Sequence, residues 1–140
     1  MDKKILFLVF SIKAKDDLIK RVLDIAQMLK AKIIALNVID FEVMRHLASK
    51  LGKRQAEISV DLEEEGWMYL YYLEEKAKDR GVKINIIQEE GVLERELIKA
   101  AERFSADMVV ISREEHKGIA NFSKFVESLL ARIGCPLLIL

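Results

Sequence analysis

The sequence predicts an α/β fold built on an open parallel sheet, and three observations carry that reading. Five short apolar stretches recur along the chain, at residues 5–10, 33–39, 82–87, 107–112 and 137–140. Those at residues 5–10 and 137–140 are unbroken by polar residues, and the core of 107–112 is too, as expected for strands covered on both faces. Between them lie segments with apolar residues at three-four spacing, long enough to be helical crossovers between parallel strands. The resulting βαβαβαβαβ alternation implies right-handed connections and helices on both faces of the sheet. In such sheets ligands settle beyond the carboxyl ends of the strands, at a topological switch point. The loop from Ser112 to Asn121, between the fourth strand and the last helix, is therefore the first place to look for a function.

Each element has its own signal. Residues 5–10 are continuously apolar, which suits a central strand. A polar connection follows, and Asp16 or Asp17 can cap the next helix. Leu18, Ile19, Val22, Leu23, Ala26 and Leu29 mark that helix by their spacing. Residues 33–39 form the second strand, with Asp40 at its end. Val43, Met44, Leu47 and Leu51 space as a short helix that Gly52 breaks. A long helix covers about residues 55–80, with Gly66 interrupting its pattern and Gly81 ending it. Its cluster of Trp67, Tyr69, Tyr71 and Tyr72 is accounted for by packing on the sheet; the rival reading is a surface patch for a partner. Val82, Ile84 and Ile86 alternate in the third strand, and residues 88–91 read as a turn. Leu93, Leu97, Ile98, Ala101 and Phe104 make the next helix, and an apolar helical pattern runs over residues 122–133 before the closing strand.

Composition narrows the function. The 140 residues are 51% hydrophobic and 33% charged, which excludes a disordered chain, a collagen and a disulfide scaffold. Basic and acidic residues balance at 23 each, so no overall field draws the protein to nucleic acid or anionic lipid. The single cysteine, Cys135, has no partner for an intrachain disulfide and reads as a plain buried thiol. Lys3 and Lys4 precede an apolar run too short for a signal peptide, and no stretch approaches a spanning helix. The expectation is one domain over residues 1–140, located in the cytoplasm, with no membrane and no nucleic-acid partner.

Several segments together resemble the universal stress protein family. Lys4-Ile5-Leu6-Phe7-Leu8-Val9 fits its opening strand, and Leu36-Asn37-Val38-Ile39-Asp40 resembles its second. Glu89-Glu90-Gly91 resembles the turn before the family's third helix. Ala101-Glu102 through Asp107-Met108-Val109-Val110-Ile111, and Cys135-Pro136-Leu137-Leu138-Ile139, resemble its fourth and fifth strand regions. The resemblance implies a five-stranded parallel sheet in the order 3-2-1-4-5, of the adenine nucleotide α-hydrolase-like kind, with the switch point between strands one and four. It also implies a homodimer through the last strand, Pro136, Leu137, Leu138, Ile139 and Leu140. The implied order puts this strand at an edge, and an apolar edge strand interrupted only by Pro136 invites that pairing.

Many family members bind ATP through G-x2-G-x9-G-[ST] after strand four, where glycines let backbone N–H groups approach phosphate. That motif is absent. Ser112 and Glu115 stand where the first two glycines would be, Ser123-Lys124 stands near the final Gly-Ser, and Gly118 is the one glycine left in the loop. Phe10-Ser11-Ile12 replaces the acid and Gly-Ser that follow strand one in nucleotide-binding members. Val38 is retained at the adenine side, while Glu114 and Glu115 would repel a triphosphate. What remains is a degenerate nucleotide or anion site of Phe10, Ser11, Lys13, Val38, Ser112, Arg113, His116, Lys117, Gly118 and Ser123. In it Arg113, His116 and Lys117, with Lys13 across the switch point, would hold the anion, and Asn121 or Ser123 would cap the last helix. The rival account of these charges is a solvated polar loop.

No Ser-His-Asp, G-x-S-x-G or Walker A pattern occurs, and His46 and His116 lack metal-ligand spacing. The expected function is a non-catalytic, dimeric interaction or signalling module in stress response, with no resident cofactor, no metal and a protein partner the sequence does not name. Alternatives are a weak ATP- or AMP-binding switch and a nucleotide-dependent hydrolase or transferase.

Overall fold

A computed structural model describes residues 2–9, 16–113 and 122–140. The element order is β1 (Lys3–Val9), α1 (Asp16–Leu29), β2 (Ala31–Asp40), α2 (Phe41–Leu51), α3 (Gln55–Asp79), β3 (Ile84–Gly91), α4 (Leu93–Arg103), β4 (Met108–Ile111), α5 (Phe122–Arg132) and β5 (Leu137–Ile139). The five strands form one parallel sheet in the order β3-β2-β1-β4-β5. The switch point therefore lies between β1 and β4, as the resemblance implies.

Strand periodicity divides the core into two layers. Ile5, Phe7, Val9, Ile33, Ala35 and Val110 face α1 and α3, where Leu18, Val22, Ala26, Leu70, Leu73 and Ala77 cover them. Leu6, Leu8, Ile34, Leu36, Val38, Val109 and Ile111 face α4 and α5, under Leu93, Leu97 and Leu129. A small third cluster of Met44, Ala48 and Ile58 joins α2 to the start of α3. Both faces of β1 and β2 are dry, which is why these strands read as continuous apolar runs.

Three expectations need correction. Residues 88–91 are not a turn: β3 continues to Gly91, pairing Gln88 with Asn37, Glu89 with Val38 and Gly91 with Asp40. An edge strand tolerates polar side chains, and here backbone pairing outweighs composition. Val82, expected in the strand, belongs to the preceding turn; its N–H donates to Ala77 O at 2.9 Å, after Gly81 adopts φ 69°. Gly66 does not interrupt α3, which runs through it unbroken. Gly52 ends α2 in the left-handed conformation at φ 64°, as expected.

The aromatic cluster splits between its two readings. Tyr69 is buried in the layer under α3, Trp67 packs partly against that layer, and Tyr71 and Tyr72 are exposed. Cys135 is half-buried rather than buried, packed at the margin of the α4–α5 layer. Burial, with a smaller push from Asp107, raises its thiol above the ordinary value; a hydrogen bond with the Val109 backbone opposes them.

Candidate functional site

The carboxyl end of the sheet is organised by one rung of three residues. Val9, Asn37 and Gln88 are register neighbours on β1, β2 and β3. Asn37 is 6% exposed, and a buried amide needs partners for both its ends. Its Nδ2 donates to Val9 O at 2.9 Å, and its Oδ1 accepts from Gln88 Nε2 at 3.2 Å. Gln88 Nε2 also donates to Glu63 O in α3 at 2.9 Å. The last carbonyl of β1 is thereby tied through two side-chain amides to the backbone of a covering helix. Gly66 makes this approach feasible: a Cβ there would overlap Asn37 Oδ1 and lie 2.6 Å from Gln88 Nε2.

Asp40 closes the adjacent corner. Its Oδ1 accepts from Glu42 N at 2.8 Å and Val43 N at 3.2 Å, capping α2. Its Oδ2 accepts from Leu93 N at 2.9 Å, the first residue of α4. One carboxylate thus satisfies orphan donors at two helix N-termini and sits where both dipoles favour a negative charge. Across the sheet, Tyr72 Oη donates to Asp16 Oδ1 at 2.6 Å, holding the first turn of α1 to α3. That hydrogen bond is the main reason the Tyr72 hydroxyl titrates above its ordinary value.

Of the expected site residues, Ser112 and Arg113 lie at the end of β4. Ser112 is 1% exposed, and Arg113 is exposed with its N–H donating to Leu140 O at 2.8 Å. Val38 is buried in the α4–α5 layer beside Leu36, so its side chain serves the core. Ser123 is exposed inside the first turn of α5, which begins at Phe122; it does not occupy the cap position, and Asn121 lies outside the described residues. Phe10, Ser11, Lys13, His116, Lys117 and Gly118 also lie outside the described residues. His46 is exposed on α2, and among the described residues no cluster of His, Cys, Asp or Glu could hold a metal ion. Also among them, no helix is long and apolar enough to cross a membrane.

Sequence reasoning missed Asn37 and Gln88 as structural polar groups. Asn37 did carry a signal, as the one polar side chain inside the run 33–39. A cleft of about 460 Å³ opens elsewhere, between α4 and β3, with Leu36, Ile87 and Phe104 among charged walls that include Glu96, Lys99 and Arg103. It contains none of the expected site residues, and Glu96 and Lys99 are paired there at 3.4 Å.

Comparison with known proteins agrees with this architecture. A universal stress protein of Methanocaldococcus jannaschii is 29% identical over 122 residues, covering 86% of this chain and 71% of that protein. A solved hypothetical protein, whose biochemical function was assigned from its structure, superposes with a TM-score of 0.75 at 21% identity, over 100% of this chain and 96% of its own. A universal stress protein family member from Burkholderia pseudomallei superposes at 0.68 with 20% identity, over 96% and 94% of the two chains. The universal stress protein from Archaeoglobus fulgidus in complex with dAMP superposes at 0.60 with 12% identity, over 98% and 96%. These structural likenesses show the shared fold, that of adenine nucleotide α-hydrolase-like proteins. The sequence profile of the universal stress protein family matches residues 1–140, and the chain belongs to that family.

Proposed function

We propose that this protein is a universal stress protein that has lost tight ATP binding and acts as a dimeric, non-catalytic interaction or signalling module in stress response. The observation that carries the reading is the segment after β4. Between Ser112 and Ser123 a single glycine remains, Gly118, so the backbone lacks the residues that let N–H groups close around phosphates. The first N–H beyond Ser112 is already engaged by Leu140 O. Phe10 in place of an acid, and Glu114 and Glu115 in the loop, weaken the case for a triphosphate further. β5 at the sheet edge supports the dimer, because among the described residues no further strand pairs with its outer edge, and an unpaired edge invites a second strand.

A second reading, a weak adenine nucleotide switch, is favoured by the neighbours in the same fold. Solved universal stress proteins carry cAMP in one case and AMP, in one from Arabidopsis thaliana, in another. Denaturing protein freshly purified from cells and assaying the supernatant for adenine nucleotides separates the readings. Loss of binding leaves the supernatant empty. Stoichiometric AMP or ATP overturns the loss of tight binding and favours a nucleotide-held switch.

A further inference from the structure

We propose that the outer face of α3 is a docking surface for a cationic protein segment, one rich in Lys or Arg with apolar anchors. The proposal goes beyond the reading above. It concerns the helix face turned away from the sheet and stands whether or not a nucleotide binds.

The helix buries Ile58, Gly66, Tyr69, Leu70, Leu73 and Ala77 against the core. Its opposite face should therefore be polar throughout. Instead Met68, Tyr71 and Tyr72 are all exposed there, Met68 at 71% and Tyr71 at 58%. Helical spacing puts them in one stripe. Single exposed apolar residues need no explanation, but a contiguous set does. Trp67 stacks on Tyr71 with ring centroids 5.6 Å apart, giving the stripe a rigid aromatic centre. Tyr and Trp dominate interface hot spots, and Met adapts to irregular partners.

Charge selects the occupant. α3 carries eight carboxylates against two lysines, a surplus of six acidic charges on a chain whose net charge is zero. Lys76 is spent on the Tyr72 ring, 5.3 Å from its centroid, and Lys78 lies 3.8 Å from Glu74. Among the described residues, Glu63, Glu64, Glu65 and Glu75 form no ion pair. An apolar centre with an acidic rim complements a basic partner in both affinity and steering. It repels anionic lipid and nucleic acid. It also repels a second copy of itself, since a two-fold contact would set the same carboxylates against each other.

The test uses the full chain and a labelled synthetic peptide of Leu and Lys at helical spacing, about 18 residues or five turns long. A Leu–Glu peptide of the same pattern serves as control. Anisotropy of the label gives Kd at physiological salt, and emission from Trp67, the chain's one tryptophan, reports contact at the stripe. The cationic peptide should saturate the protein and shift Trp67 emission, while the acidic one does neither. Tyr71→Ala and Met68→Ala should each raise Kd about tenfold, the size of a modest hot spot. Glu64→Lys with Glu75→Lys should weaken binding and flatten its salt dependence, whereas Glu102→Lys on α4 should leave both unchanged. Absence of cationic binding overturns the proposal. So does equal weakening by Glu102→Lys, which would mean diffuse attraction, or self-association that Tyr71→Ala abolishes.

Discussion

Gly66 shows how a single missing side chain can organise a site. In a helix interior glycine costs about 1 kcal/mol relative to alanine, so Gly66→Ala would ordinarily stabilise α3. Here the added Cβ lands on the Asn37–Gln88 amide pair. Overpacking costs about 1–3 kcal/mol and an unsatisfied buried polar group a similar amount, so the clash wins. Gly66→Ala should lower the unfolding free energy by about 2 kcal/mol in urea denaturation; a more stable variant would contradict the packing described. Cys135 gives a pH test. Its thiol is held above its ordinary value of 9.0, so the neutral form is favoured in the fold. That contribution is present below pH 9.0 and is lost as pH rises through the raised folded value. Thiolate absorbance in the native protein should therefore show a midpoint above 9.0, moving down on unfolding; a native midpoint below the unfolded one would reverse the sign.

Elements were legible wherever their signals are local. The helix over Leu18, Ile19, Val22, Leu23 and Ala26 buries those same side chains, and Gly52 stops α2 as glycine chemistry requires. The links between elements were not legible, because they join residues far apart in sequence. Gln88 reaches Asn37 across 51 positions and Glu63 across 25, and Asp40 reaches Leu93 across 53. Read locally, Gln88-Glu89-Glu90-Gly91 is polar and turn-like; only pairing with residues 37–40 makes it strand. Asp40 yields the prediction at this scale. Asp40→Ala removes both caps at once and should destabilise the protein by about 2–3 kcal/mol, roughly twice an ordinary cap. Asp40→Asn, which keeps an acceptor, should recover about half of this. Equal losses for both variants would show that the carboxylate's charge, rather than its hydrogen bonds, holds the two helices.

At the scale of the molecule, the sheet order and the family were readable because the order and spacing of several weak segments agree, from Lys4–Val9 to Cys135–Ile139. The candidate site was readable only in part. Ser112 and Arg113 lie at the end of β4 and Val38 is buried in the α4–α5 layer, while the clamp through Asn37 depends on register that no local pattern encodes. β5 offers an assembly prediction. Leu138 packs toward the α1–α3 layer and stays half-exposed in the single chain. If β5 pairs with its copy, sedimentation should give a dimer at micromolar concentration and a monomer or aggregate for Leu138→Lys; a dimer that survives the charge would place the interface elsewhere. The central claim is that this family member has lost tight nucleotide binding. Calorimetric titration with Mg-ATP, AMP and cAMP tests it most directly. The account predicts no constant tighter than about millimolar, near −4 kcal/mol, for any of the three. A micromolar constant for any one of them would contradict it.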